Sequence, residues 1–113
     1  MNVYDQTHQL AAAIKESEEF KQYDSKKKLL DENPELGNMI KDFHEKSMAI
    51  QIRQMSGEQP DAADLEAIQK LYQIVAMDPL ASGYIDAEMR FSLMMKDVYE
   101  IIGEAIGQGD VFK

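Results

Sequence analysis

The side chains best suited to acid–base or metal chemistry in this 113-residue chain are its two histidines, His8 and His44. Asp5 precedes His8 by three positions, a helical spacing that sets a carboxylate and an imidazole within reach of one metal ion. A di-iron helical bundle, however, needs two Glu-x-x-His pairs and two further inward carboxylates. His44 has Lys41 at the corresponding position, so there is no second pair and both histidines read as partly exposed helix residues. Glu88, Asp97, Glu100 and Glu104 read as a solvated acidic helix surface rather than a catalytic pair. None of Ser17, Ser25, Ser47, Ser56, Ser82 and Ser92 lies in a Gly-x-Ser-x-Gly elbow, and no Gly-rich phosphate loop occurs. Gly103 and Gly107 have the small-residue spacing of membrane helix pairs, but Glu104 and the flanking charges remove that setting. The expectation is no catalytic residue, no metal ligand and no cofactor.

Composition narrows the classes further. The chain fits one domain over residues 1–113, and at 44% hydrophobic content it has the makings of a core. The net charge of −9 divides into −3 over residues 1–60 and −6 over residues 61–113. That surface repels phosphate backbones and anionic bilayers, so neither nucleic acid nor membrane is an expected direct partner. The chain has no cysteine, hence no disulfide and no thiolate ligand. No basic, then apolar, leader opens it, and no uncharged run is long enough to span a bilayer. A cytoplasmic protein is expected.

Helical periodicity runs the length of the chain. Val3, Thr7, Leu10 and Ile14 share one face of a first helix, from about Val3 to Lys15. Ser17 offers a cap for a second, with Glu18 and Glu19 in its first turn and Lys26, Lys27 and Lys28 near its end, each sign matched to the helix dipole. Phe20, Tyr23 and Leu30 would be its buried residues. Asn33-Pro34 and Asp78-Pro79 each join a capping side chain to a proline, whose fixed φ suits the first helical position. Asp61, followed by Asp64, starts a further helix that carries Leu65, Ile68, Leu71, Tyr72, Val75 and Ala76 to about Met77. Gly57 is placed to end the helix before it, and Gly107 and Gly109 to close the last one. No segment shows sustained two-residue alternation. The fold class expected is all-α, an elongated bundle of about five helices.

The two longest runs, 34–56 and 79–106, would be about 35 and 42 Å long at 1.5 Å per residue, and are expected to form a hairpin-like core and an oligomer seam. Along the last helix, Leu80, Tyr84, Ala87, Phe91, Met94, Val98, Ile101 and Ala105 follow in steps of four and three; Ile85, Met95, Tyr99, Ile102 and Ile106 make a second stripe. The helix from Pro34 likewise has two apolar sides, one through Leu36, Ile40, Phe43, Ser47, Ile50 and Gln54, the other through Met48, Ile52 and Met55. Helices apolar on two sides are sandwiched or shared between subunits. Eight methionines fit ordinary core packing first and surfaces that re-pack against partners second, although the adjacent Met94 and Met95 cannot both face one core. The residues expected at an interface are Met48, Ile52, Met55, Ile85, Met89, Phe91, Met94, Met95, Val98, Tyr99 and Ile102.

The order of Val3-Tyr4-Asp5, Leu10, Ile14, Ser17-x-Glu19-Phe20, Asn33-Pro34, Phe43, Gln54-Met55-x-Gly57-Glu58, Asp78-Pro79 and Ala87-Glu88 resembles the YlbF/YmcA family of small helical proteins from Gram-positive bacteria, including its YheA-like branch. The resemblance spans about Val3 to Ile106 and rests on the joint order of caps and core positions. It implies an all-helical homodimer or higher homo-oligomer without catalytic residues, related to regulators of competence, sporulation and biofilm formation, some of them linked to RNase Y. Family proteins in that complex are associated with iron–sulfur clusters held by cysteine, ligands this chain does not have. The leading expectation is a non-catalytic regulatory adaptor acting through protein–protein contact, with other YlbF-family subunits or RNase Y-associated proteins as partners. The alternative is a purely self-assembling structural oligomer.

Overall fold

The computed structural model describes residues 2–107, and among these every regular element is an α-helix. Five occur in order: α1 (Val3–Glu16), α2 (Glu18–Asp31), α3 (Pro34–Met55), α4 (Ala62–Met77) and α5 (Pro79–Ala105). Their ends follow from local side-chain chemistry. The carboxamide oxygen of Asn2 accepts from the N–H groups of Tyr4 (2.7 Å) and Asp5 (3.3 Å), which starts α1. Ser17 is the single residue between α1 and α2; its hydroxyl donates to the Ile14 carbonyl at 2.6 Å and accepts from the Phe20 N–H at 3.2 Å. Asn33 caps α3 through the Leu36 N–H (3.3 Å), and Asp61 caps α4 through that of Ala63 (3.0 Å). Asp78 accepts from both Leu80 (2.9 Å) and Ala81 (3.0 Å), so α5 is regular from its first proline despite Ser82-Gly83.

Gly57 ends α3 in the left-handed region, at φ 80°. There the N–H of Glu58 reaches the Arg53 carbonyl at 2.9 Å and that of Gly57 reaches Gln54 at 3.2 Å, the paired bonds of a Schellman motif. Gly107 repeats the left-handed conformation after α5, at φ 72°; Gly109 lies outside the described residues.

Contacts sort the chain into two compact units. The middle unit is the contiguous segment Lys27–Tyr84. In it Leu30, Leu36, Ile40, Ile50, Val75, Ala81 and Tyr84 are buried. The helix packed along α3 here is α4, with Phe43 and Tyr72 rings 6.3 Å apart between them. The expected hairpin of the two longest helices is thus not the pairing this unit shows. The short exposed connector after Gly57 turns the chain straight back, making sequential neighbours spatial ones. Within α3, one turn apart, the Lys46 ammonium donates to Asp42 at 2.8 Å. That bond, with the nearby charges of Asp42, Asp64 and Glu45, raises the Lys46 pKa above 10.5 against a smaller opposing effect of desolvation.

The second unit joins the chain's two ends, the part up to Lys26 and the part from Ile85 onward. Its identifiable centre is aromatic: Phe91 of α5 stacks on Tyr23 of α2, centroids 5.2 Å apart and planes 16° apart, and meets Phe20 edge-on at 5.6 Å. Ala87 and Gly103 are its buried residues on α5, and α1 has none.

Candidate interaction surface

Both apolar stripes of α5 lose cover in the same direction. Along the first, Tyr84 and Ala87 are buried, Phe91, Met94 and Val98 are half-buried, and Ile101 and Ala105 are exposed, Ile101 at 66%. Along the second, Ile85 and Met95 are half-buried, while Tyr99 and Ile102 are exposed, as is Ile106 in the turn just after the helix. The sequence period is unbroken throughout, so what changes is the availability of something to pack against. Leu93 and Met89, on a third side, are exposed as well.

Helix α1 continues the pattern within this unit. Val3, Tyr4 and Leu10 are exposed and Ile14 is half-buried, although they occupy one apolar face. A face of that kind normally points at a core. Here Val3, Tyr4 and Leu10 remain in solvent.

On α3 the division is by side. Leu36, Ile40 and Ile50 are buried on one side of the helix, and Gln54 at the end of that seam is exposed. The other stripe stands open: Met48 at 62%, Ile52 at 57% and Met55 at 80% exposure. At steps of four and three they share one face. On α4, Leu65, Tyr72, Ile74 and Met77 are exposed and Val75 is buried.

The residues expected at an interface therefore separate into groups. Met48, Ile52, Met55, Met89, Tyr99 and Ile102 are open. Ile85, Met94, Met95 and Val98 are half-buried, and Phe91 is engaged within the chain by Phe20 and Tyr23. Sequence reading placed Val3, Leu10 and Ile14 on a face without marking that face as open, and did not single out Tyr4, Leu93, Ile101 and Ile106 as open surface. The signal for α1 was available in its clean apolar stripe beside a short, polar helix α2 that offers little to cover it.

Charged groups decorate these surfaces without forming a reactive centre. Lys70–Glu66 (3.3 Å) and Arg90–Asp86 (3.1 Å) are exposed pairs one helical turn apart, each worth a few tenths of a kcal/mol, about 0.3–0.5. His8 is exposed on α1; His44 is half-buried beside Phe43, ring centroids 6.1 Å apart. Among the described residues no three His, Asp or Glu side chains gather in a metal-binding group, and no helix is long and apolar enough to cross a membrane.

Comparison with known sequences identifies relatives over nearly this whole span. A family model described as control of competence regulator ComK, YlbF/YmcA, matches residues 3–107. A UPF0342 protein of Caldicellulosiruptor bescii is 35% identical over 105 residues, covering 93% of this chain and 88% of its own. One from Symbiobacterium thermophilum is 35% identical over 104 residues, covering 92% and 93%. One from Desulfitobacterium hafniense is 36% identical over 106 residues, covering 94% and 86%.

Proposed function

This chain belongs to the YlbF/YmcA family, described by its control of the competence regulator ComK, and on that premise we propose that it is a regulatory adaptor working by protein–protein contact rather than by catalysis. The observation that carries this reading is the loss of cover along α5, where one apolar stripe passes from buried to exposed and the other from half-buried to exposed without any change in periodicity. Such a helix is built to be completed by another chain. The open face of α1 supports the same reading.

A second copy of the chain is the proposed occupant of the α1 and α5 surfaces, giving a homodimer or higher homo-oligomer. The stripe of Met48, Ile52 and Met55 on α3 is then the surface offered to a different protein. Its two thioethers and a branched aliphatic side chain suit a partner helix whose packing details differ from one partner to the next. By the family resemblance, that partner is sought among other YlbF-family subunits and RNase Y-associated proteins of the cytoplasm.

The test is native mass spectrometry and sedimentation of the wild type beside a Tyr99→Asp/Ile102→Asp variant. Both positions are exposed in the protomer, so circular dichroism should stay unchanged while the oligomer dissociates. A wild type that is monomeric at tens of micromolar, or a variant with unchanged mass, sinks the self-association half. Affinity capture from lysate with Met48→Asp/Ile52→Asp as control tests the adaptor half. Capture of the same RNase Y-associated proteins by wild type and control rejects the α3 surface. Recovery of the chain alone favours a self-assembling structural oligomer.

A further inference from the structure

Sulfur chemistry in this chain is confined to methionine, because it contains no cysteine. Among the described residues the thioethers fall into two classes. Met48, Met55, Met77 and Met89 are exposed, whereas Met39, Met94 and Met95 are half-buried. Two of the exposed four, Met48 and Met55, bracket Ile52 on the open face of α3 and supply most of that stripe. Leu36, Ile40 and Ile50, which hold α3 in the middle unit, lie on a different side of the helix. A change at the two sulfurs therefore alters the surface and spares the core.

We propose that Met48 and Met55 are paired oxidation sites, through which peroxide-class oxidants convert the open stripe of α3 from apolar to polar while the fold persists. A thioether lone pair attacks one oxygen of the peroxide; the S–O bond forms as the O–O bond breaks. Sulfur is oxidised by two electrons, the peroxide is reduced, and its second oxygen leaves after proton transfer as water from hydrogen peroxide or as an alcohol from an organic hydroperoxide. The resulting sulfoxide is polar and is reversible by methionine sulfoxide reductases. Both ends of a three-residue stripe change together, leaving Ile52 between two strong hydrogen-bond acceptors. For its consequence, loss of partner docking, the proposal rests on the adaptor reading above; the surface change itself does not.

The experiment treats the full-length protein with graded hydrogen peroxide and maps sulfoxides by peptide mass spectrometry. Nile red, a neutral apolar dye, reports exposed apolar surface, the difference between wild type and Met48→Leu/Met55→Leu isolates the share of the stripe, and circular dichroism reports the fold. Sulfoxide should form at Met48 and Met55 several-fold faster than at Met39, which sits on the same helix but half-buried. Met77, 84% exposed at the end of α4 and outside the stripe, serves as the reagent control. Nile red fluorescence should fall in the wild type, recover on reductase treatment, and hold better in Met48→Leu/Met55→Leu, which keeps the apolar volume without sulfur. Met48→Gln/Met55→Gln should reproduce the loss with no oxidant. The proposal is overturned if Met39 oxidises as fast as Met48 and Met55, if helicity collapses as they oxidise, or if fully oxidised wild type binds dye like the untreated protein. Absence of any oligomer or captured partner would sink the adaptor reading and leave these three readouts to decide the chemistry.

Discussion

The middle unit of this chain and the unit made from its ends are written in the same apolar code, yet only one of them is finished. Between Lys27 and Tyr84, seven apolar side chains are buried and the α3–α4 pair is stitched by Phe43 against Tyr72. In the terminal unit, burial reaches Ala87 and Gly103, Phe20, Tyr23 and Phe91 share one aromatic contact, and α1 buries nothing. Helix α5 contributes to both, with an uninterrupted period across the boundary. An apolar stripe thus states that a face will be covered. What covers it is decided by which other stripes the same chain can bring near.

The comparison breaks most sharply at Ile40, one of the most deeply buried side chains of the middle unit. Ile40→Ala should cost about 2–5 kcal/mol through lost transfer energy and an unfilled cavity, read as a large fall in the urea midpoint. A shift no larger than that of an exposed site would mean the middle unit has no real core. Phe91→Ala comes next. It removes the ring that both Tyr23 and Phe20 touch, but from a half-buried position. The expected loss is about 1–3 kcal/mol, below the 3–5 typical of a fully buried Phe. Equal losses at Ile40 and Phe91 would erase the asymmetry between the units.

The smallest effect sharpens the contrast by pH. Lys46 has its pKa raised, chiefly by the Asp42 hydrogen bond. A raised value in the folded state means the ammonium is favoured by folding. Its stabilisation is complete below pH 10.5 and is lost as pH climbs through the folded value. Stability measured by denaturant from pH 9 upward should therefore show a slight alkaline decline that Lys46→Met lacks; identical alkaline profiles of wild type and variant would mean that the Lys46–Asp42 pair within α3 contributes nothing to stability.

Much of the fold was legible because helix ends are local events. Asn33, Asp61 and Asp78 cap where their side chains can reach N–H groups two or three residues on, and Gly57 terminates α3 where only a left-handed residue fits. Asn2 escaped notice as a cap because it stands before any visible periodicity. The pairing of α3 was not legible from its stripes, since α4 and α5 both offer compatible apolar faces. The short connector after Gly57 carried the information that the stripes did not. Phe91 read as part of an intermolecular seam because its spacing belongs to the stripe of α5; Phe20 and Tyr23 were expected to be buried, but no periodicity says against what. The division at Lys26 and Tyr84 left no mark either, falling inside α2 and α5 without a change of composition.

The turn at Gly57 has a consequence for the order in which the chain acquires structure. It places α3 and α4 side by side with little chain between them, so their contact closes a short loop at small entropic cost and belongs among the early events of folding. The contact of Phe20 and Tyr23 with Phe91 spans most of the sequence. During synthesis it must wait until α5 has left the ribosome, when α3 and α4 are already complete. Through that interval Phe20 and Tyr23 of the nascent chain stand without the Phe91 ring that later packs on them, apolar surface of the kind that makes incomplete chains prone to association.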